Sequence, residues 1–104
     1  MVDKISPQSR DEYKAECERA ISLFQQSLDG YQGSQEPHQK GVYKEVMDKA
    51  LVIMSETIQS ALGKEALKKQ QKLEQDYENY IANANPSTLS AVNQDIASLQ
   101  KTVS

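Results

Sequence analysis

The chain has 104 residues and a formal net charge of −3, all of which arises in its first 36 residues. This length suits one domain. The acidic balance argues against a nucleic-acid or anionic-membrane partner, because proteins that bind phosphate usually present a net basic face. No apolar run approaches the roughly 18 residues of a membrane span, and the first residues lack the apolar stretch of a signal peptide. We therefore expect a cytoplasmic protein, with export by a pathway that needs no cleaved signal as an open alternative.

Residues that build a core are scarce in this sequence. Ala, Val, Ile, Leu, Met, Phe, Cys and Gly together make up 38 of the 104 residues, whereas such residues form about 45–50% of typical globular domains. A chain of this composition either folds as a slim bundle or completes its core against a second chain. Cys17 is the only cysteine, so an intrachain disulfide is impossible, which fits a reducing compartment.

The first predicted helix covers residues 9–32. Its apolar residues recur at steps of three and four, as expected for one face of a helix. This face contains Tyr13, Cys17, Ala20, Ile21, Phe24, Leu28 and Tyr31. The candidate start signals are Ser9 with Glu12, in capping-box spacing, or Ser6 with Pro7. The candidate stop signals are Gly30 and Gly33.

The second predicted helix covers residues 38–62. The clearest break in the helical pattern, residues 33–41, comes before it and overlaps its first turn. Its start signal is Ser34 or Glu36 together with Pro37. It is the most apolar helix, and its apolar stripe is wide enough for contact on two sides, as the central helix of a bundle requires. The stripe contains Val42, Tyr43, Val46, Met47, Ala50, Leu51, Ile53, Met54, Ile58, Ala61 and Leu62.

Gly63 leaves the course of the chain beyond the second helix open. One apolar phase continues across it from Ile58 to Ala84, so a continuous helix over 38–84 would be about 70 Å long at 1.5 Å per residue. We favour a break at Gly63, because two helices of similar length can cover each other, whereas a single rod leaves its far half unpaired. The rod would require a second chain, and hence a dimer.

The third predicted helix covers residues 64–84 and is polar. The fourth covers residues 87–102 and follows Asn85 and Pro86, which together form a strong helix start. The sequence therefore predicts an all-α fold, an antiparallel bundle of three to four helices in a single domain over residues 1–104. We expect circular dichroism to show more than about 70% helix, well above the average for globular proteins.

The apolar residues of the fourth helix recur at steps of three and four, the narrow period of a coiled-coil seam. This C-terminal stripe contains Leu89, Val92, Ile96, Leu99 and Val103. Either the helix closes the protein's own bundle, or it docks on another protein or another copy, as an amphipathic helix does in a groove. Tyr77 and Tyr80 belong either to the core or to the same partner-binding surface, since tyrosine is enriched at binding hot spots.

Side chains that would support catalysis or bind a cofactor are sparse. His38 is the only histidine; it is predicted to lie in a loop and has no metal ligands at suitable spacing. Cys17 falls on the apolar face of the first helix, which is typical of a buried thiol. Glu12, Glu16 and Glu18 lie off that face and are interpreted as solvated. With no Gly-rich phosphate loop or dinucleotide motif, we expect neither an enzyme nor a protein that holds a metal or a cofactor.

These observations predict a non-enzymatic protein-binding module, such as an adaptor, a small chaperone or an assembly subunit, that acts through apolar helix faces. We expect its partner to be another protein, bound by helix–helix packing. The alternative is a structural or secreted helical protein that assembles with itself, for example as a homodimer. A basic strip of Lys64, Lys68 and Lys72, with Lys69 beside it, is interpreted as a solvated face, with an acidic protein partner as the alternative.

Overall fold

A computed structural model describes residues 10–103, which form four helices packed together as an all-α bundle. The helices are α1 (Arg10–Gly33), α2 (Pro37–Thr57), α3 (Lys64–Ala82) and α4 (Pro86–Val103), with a short π-helix (Ile58–Leu62) between α2 and α3. This part of the chain is 93% helical and contains no strand, so the predicted all-α fold class is confirmed.

The four helices form two antiparallel hairpins. α1 packs most extensively on α2, and α3 packs most extensively on α4, whereas α2 and α3 meet at few positions. The backbone of α1 at Gly30 lies against the ring of Tyr43 of α2, and a methyl group added there would collide with that ring. The described residues extend over 50 × 26 × 17 Å. The loose junction between the hairpins is the feature that creates a groove on the surface.

One apolar core joins all four helices. Phe24 of α1 and Tyr77 of α3 meet edge to face, with ring centroids 5.4 Å apart, so the core continues from one hairpin into the other. Burying a side chain of this kind stabilises the fold by about 1.5–3 kcal/mol. The largest fully buried side chains include Phe24, Ile21, Leu28, Met47, Met54, Ile58, Leu73, Ile96 and Leu99.

The start of α4 is fixed by a reciprocal cap. The side-chain oxygen of Asn85 accepts a 2.9 Å hydrogen bond from the backbone N–H of Thr88. In return, the backbone N–H of Asn85 donates to the hydroxyl of Thr88 at 3.1 Å. These bonds satisfy amides that have no partner within the helix. The start predicted at Asn85 and Pro86 is therefore confirmed.

The other predicted boundaries lie close to the observed ones. α2 begins at Pro37 with Glu36 as its cap, which is one of the two predicted starts. α1 continues through Gly30 and ends at Gly33, so Gly30 does not act as a stop. The start signals predicted at Ser6 to Ser9 lie outside the described residues.

The chain breaks at Gly63, the alternative that the sequence favours. Gly63 has φ 94° and ψ 169°, a conformation that strains any residue with a side chain. In the segment before it, the hydroxyls of Thr57 and Ser60 each donate to a carbonyl four residues back, at 2.8 Å. Such bonds compete with the backbone amides and accompany departures from regular α-helix. The chain therefore reverses here, and α3 folds back along α2.

Candidate functional site

A groove of about 410 Å³ lies between α2 and α3, where the two hairpins meet loosely. It follows α2 from Lys44 to Val52 and α3 from Glu74 to Ala82, which is about 12 Å or two helical turns on each side. Its apolar lining consists of Leu51, Val52, Tyr77, Ile81 and Ala82, and its charged rim consists of Lys44, Asp48, Glu74 and Glu78. An apolar concavity with charged edges is the usual form of a binding site on a protein surface.

Val52 is the most exposed large apolar side chain among residues 10–103, with 56% of its surface accessible. A single exposed valine on a helix is ordinary. Val52, however, lies in a concave surface with the half-buried Ile81 across from it and the buried Leu51 beside it. The exposed apolar surface is therefore contiguous, which is typical of an interaction site.

A chain of polar contacts connects the two walls of the groove. The phenol of Tyr77 donates a 2.7 Å hydrogen bond to one oxygen of Asp48, and the ammonium of Lys44 lies 3.0 Å from the other. Burial raises the pKa of the Tyr77 phenol, and its hydrogen bond to the Asp48 carboxylate raises that pKa further. Tyr77 therefore stays protonated at neutral pH and serves as a fixed donor.

The rim of the groove on α3 carries two acidic side chains without an ion-pair partner among the described residues. Glu74 and Glu78 stand one turn apart on α3, and both are exposed. Within residues 10–103, neither forms an ion pair, whereas Lys44 and Asp48 pair with each other. Like charges four residues apart repel each other by about 0.2–0.5 kcal/mol. With one positive and three negative groups, the rim has a net charge of −2.

The seven residues predicted to bind a partner do not meet at one place. Tyr77 alone lines the groove. Tyr80 and Leu89 border a shallow hollow at the end of the bundle, beside the α3–α4 turn. The remaining four are Val92, Ile96, Leu99 and Val103; like Tyr77 and Tyr80, they are at most 5% exposed and belong to the core. α4 thus packs in the protein's own bundle, and a partner can reach these four side chains only after α4 leaves it. Their role in binding stays a prediction.

The candidate reactive groups lie apart from the groove. His38 lies in the first turn of α2 and is exposed; the prediction of a loop is wrong because Pro37 already belongs to the helix. Cys17 is fully buried, and burial raises the pKa of its thiol, in keeping with the predicted buried thiol. Within residues 10–103, no three His, Cys, Asp or Glu side chains are placed to hold a metal ion.

A charged cluster links α3 to α4. The ammonium of Lys72 lies 2.7 Å from a carboxylate oxygen of Asp76 and 3.3 Å from one of Asp95. The second oxygen of Asp95 is buried, with no hydrogen-bond partner among the described residues. Burial and the neighbouring Asp76 raise the pKa of Asp95 to about 6, while hydrogen bonds from Asp95 and Lys72 lower the pKa of Asp76. Lys72 therefore connects two helices as well as contributing to the basic strip.

No helix within residues 10–103 has the length and apolar character needed to cross a bilayer.

Comparisons with other proteins identify no relative of this chain. No protein-family model matches the chain. No curated protein and no solved structure matches it either.

Proposed function

We propose that the protein is a non-enzymatic helical module, such as an adaptor, a small chaperone or an assembly subunit, that binds another protein through the groove between α2 and α3. The observation that carries this proposal is the apolar surface of Val52 and of the half-buried Ile81 in the groove, which the protein's own helices leave accessible. Covering apolar surface contributes about 25 cal/mol for each Å² removed from water. A partner that fills the groove would recover this free energy.

The chemistry of the groove supports binding over catalysis. Asp48 is engaged by both Lys44 and Tyr77, and Tyr77 is held in its protonated form by burial. A catalytic acid or base needs a pKa near the working pH, together with access to a substrate. Cys17 and His38 do not line the groove. These polar groups tie the two walls of the groove together, which gives a docking surface a fixed shape.

The test compares two valines on α2. Val52 lies in the groove, whereas Val42 is 52% exposed but lies outside its lining. The wild-type chain, Val52→Asp and Val42→Asp are immobilised and exposed to an extract of the cells that express the protein. Each captured protein is identified by mass spectrometry, then purified and titrated against the three chains by calorimetry. We expect a partner whose affinity falls at least tenfold with Val52→Asp and less than twofold with Val42→Asp.

Equal affinity for the two variants, or no partner that survives purification, would overturn the proposal. Both substitutions are at exposed positions, so circular dichroism is expected to show unchanged folding. Light scattering over a concentration series addresses the alternative of self-assembly. A mass of 11.7 kDa at every concentration supports a different protein as partner. A dimer that dissociates with Val52→Asp, but persists with Val42→Asp, would assign the groove to a second copy instead.

A further inference from the structure

We infer that the groove between α2 and α3 receives a short basic amphipathic helix of another protein, whose apolar side chains enter the groove while its Lys or Arg side chains face Glu74 and Glu78. This inference rests on the proposed function and adds the chemical class of the partner. Three properties of the groove carry it: its length, the state of its backbone groups and the charge of its rim.

The dimensions of the groove match one face of a helix. Side chains at positions i, i+3 and i+7 of a helix span about 10.5 Å, and the lining residues extend about 12 Å along both α2 and α3. The walls are themselves helices, whose ridges and grooves accept the ridges of a third helix. Two or three apolar anchors of one helix therefore fit between Val52 and Ile81.

The backbone of the groove offers nothing to an extended peptide. A peptide strand gains affinity by adding main-chain hydrogen bonds to an exposed sheet edge. Here both walls are α-helices, whose interior N–H and C=O groups are already bonded within the helix. Residues 10–103 contain no strand. Side-chain packing must provide the affinity, which favours a partner that presents its apolar residues on one face.

The charge of the rim selects a cationic partner. Glu74 and Glu78 repel each other, and within the described residues neither forms an ion pair. A Lys or Arg side chain above them would relieve this repulsion and add attraction. Lys44 adds little repulsion, because Asp48 holds its ammonium at 3.0 Å. An acidic or phosphorylated segment would bring like charge to a rim that is already at −2.

The test uses three designed peptides of about four helical turns, labelled with fluorescein and titrated with the full chain by fluorescence anisotropy. The first has leucines at i, i+3 and i+7 with lysines on either side. The second has the same composition, with the leucines spread around the helix. The third replaces each lysine with glutamate. We expect the first peptide to bind at least tenfold more tightly than the other two and to weaken as salt concentration rises.

Two double variants carry the same change in net charge, but at different places. Comparing them distinguishes a local electrostatic effect of the rim from a general effect of net charge. Glu74→Lys with Glu78→Lys reverses the rim, whereas Glu18→Lys with Asp29→Lys reverses two exposed acidic residues of α1, away from the groove. We expect the rim variant to lose at least tenfold in affinity for the first peptide. The α1 variant is expected to change by less than twofold.

The outcomes distinguish this inference from the proposed function. If Val52→Asp abolishes binding of a natural partner, but that partner's bound segment is acidic or extended, the binding module stands and the basic-helix inference is wrong. The inference is also wrong if the rim variant and the α1 variant bind the first peptide equally. If neither Val52→Asp nor the rim variant alters the binding of any partner or peptide, both proposals fall.

Discussion

The phenol of Tyr77 on α3 donates a 2.7 Å hydrogen bond to the carboxylate of Asp48 on α2. A second polar link across the junction runs from the side-chain amide of Gln70 to the carbonyl of Leu51, at 3.3 Å. Since α2 and α3 meet at few other positions, these two bonds help to hold the helices at their observed spacing. The groove keeps its width because one wall is tied to the other at both places.

The bond from Tyr77 can be removed without changing the packing of the ring. We expect Tyr77→Phe to lower the free energy of unfolding by about 1 kcal/mol. This is less than the roughly 1.5–3 kcal/mol of a hydrogen bond to a charged group, because Asp48 is half exposed. Urea denaturation measures the change. Tyr80→Phe is the control, since no described residue accepts a hydrogen bond from its phenol. An equal loss for both variants would show that the bond to Asp48 does not stabilise the fold.

The buried carboxyl of Asp95 predicts a pH-dependent effect. Its pKa is raised to about 6 in the folded protein from an ordinary value of 3.8, so the folded state takes up this proton at a higher pH than the unfolded state. For this group, stability therefore increases as pH falls through 6 towards 3.8. We expect Asp95→Asn to stabilise the protein by about 1 kcal/mol at pH 7–8, because it removes a buried charge that Lys72 only partly offsets.

The measurement is the difference in Tm between Asp95→Asn and the wild-type chain from pH 8 to pH 4. We expect a positive difference at pH 8 that declines towards zero at pH 4, where the wild-type carboxyl is protonated. Asp29→Asn, at an exposed position of α1, is expected to show no such trend. A difference for Asp95→Asn that grows as pH falls would contradict the assignment.

Ile96 separates the core role of the C-terminal stripe from a docking role. It is fully buried, so Ile96→Ala is expected to lower the free energy of unfolding by about 2–5 kcal/mol through lost burial and a residual cavity. Leu23→Ala is the control, since Leu23 is 41% exposed and should lose less than about 1 kcal/mol. If Ile96→Ala hardly affects unfolding yet abolishes partner binding, the stripe serves as a docking surface instead.

Gly63 is expected to tolerate no side chain without cost. Gly63→Ala should destabilise the protein by about 1–3 kcal/mol, because the backbone conformation at this position strains a residue with a side chain. A steric clash does not contribute, since nothing lies within 4 Å of an added methyl group. Gly41→Ala, also in open space but inside α2, should stabilise by about 0.5–1 kcal/mol. Urea denaturation compares the two. An elongated dimer of Gly63→Ala in light scattering would show that the continuous helix is accessible to this sequence.

Local signals in the sequence predict the fold well. The cap at Asn85 and the break at Gly63 depend on a few neighbouring residues, and both appear in the structure where the sequence places them. Helical periodicity likewise identifies the apolar faces that form the core. His38 is an exception: it is predicted to lie in a loop, although the neighbouring Pro37 is itself a predicted helix start, and it lies in the first turn of α2.

The groove itself is not predictable from periodicity. Val52 lies off the predicted stripe of α2, and its importance comes only from the loose packing against α3. The C-terminal stripe shows a second limit of prediction from periodicity. A face that packs in the protein's own core and a face that docks on a partner have the same spacing, so residues such as Ile96 carry no signal that separates the two. That separation depends on contacts between segments far apart in the chain.

The complete burial of Cys17 gives this protein an internal kinetic reporter. It is the sole thiol in the sequence, and the modification chemistry of cysteine requires an accessible thiolate. A thiol reagent can therefore react only when α1 separates from its neighbours. The labelling rate equals the opening rate when the reagent reacts faster than the helix recloses, and otherwise it reports the equilibrium population of the open form. The wild-type chain, with no engineered label, can thus show whether a bound ligand holds the α1–α2 hairpin shut.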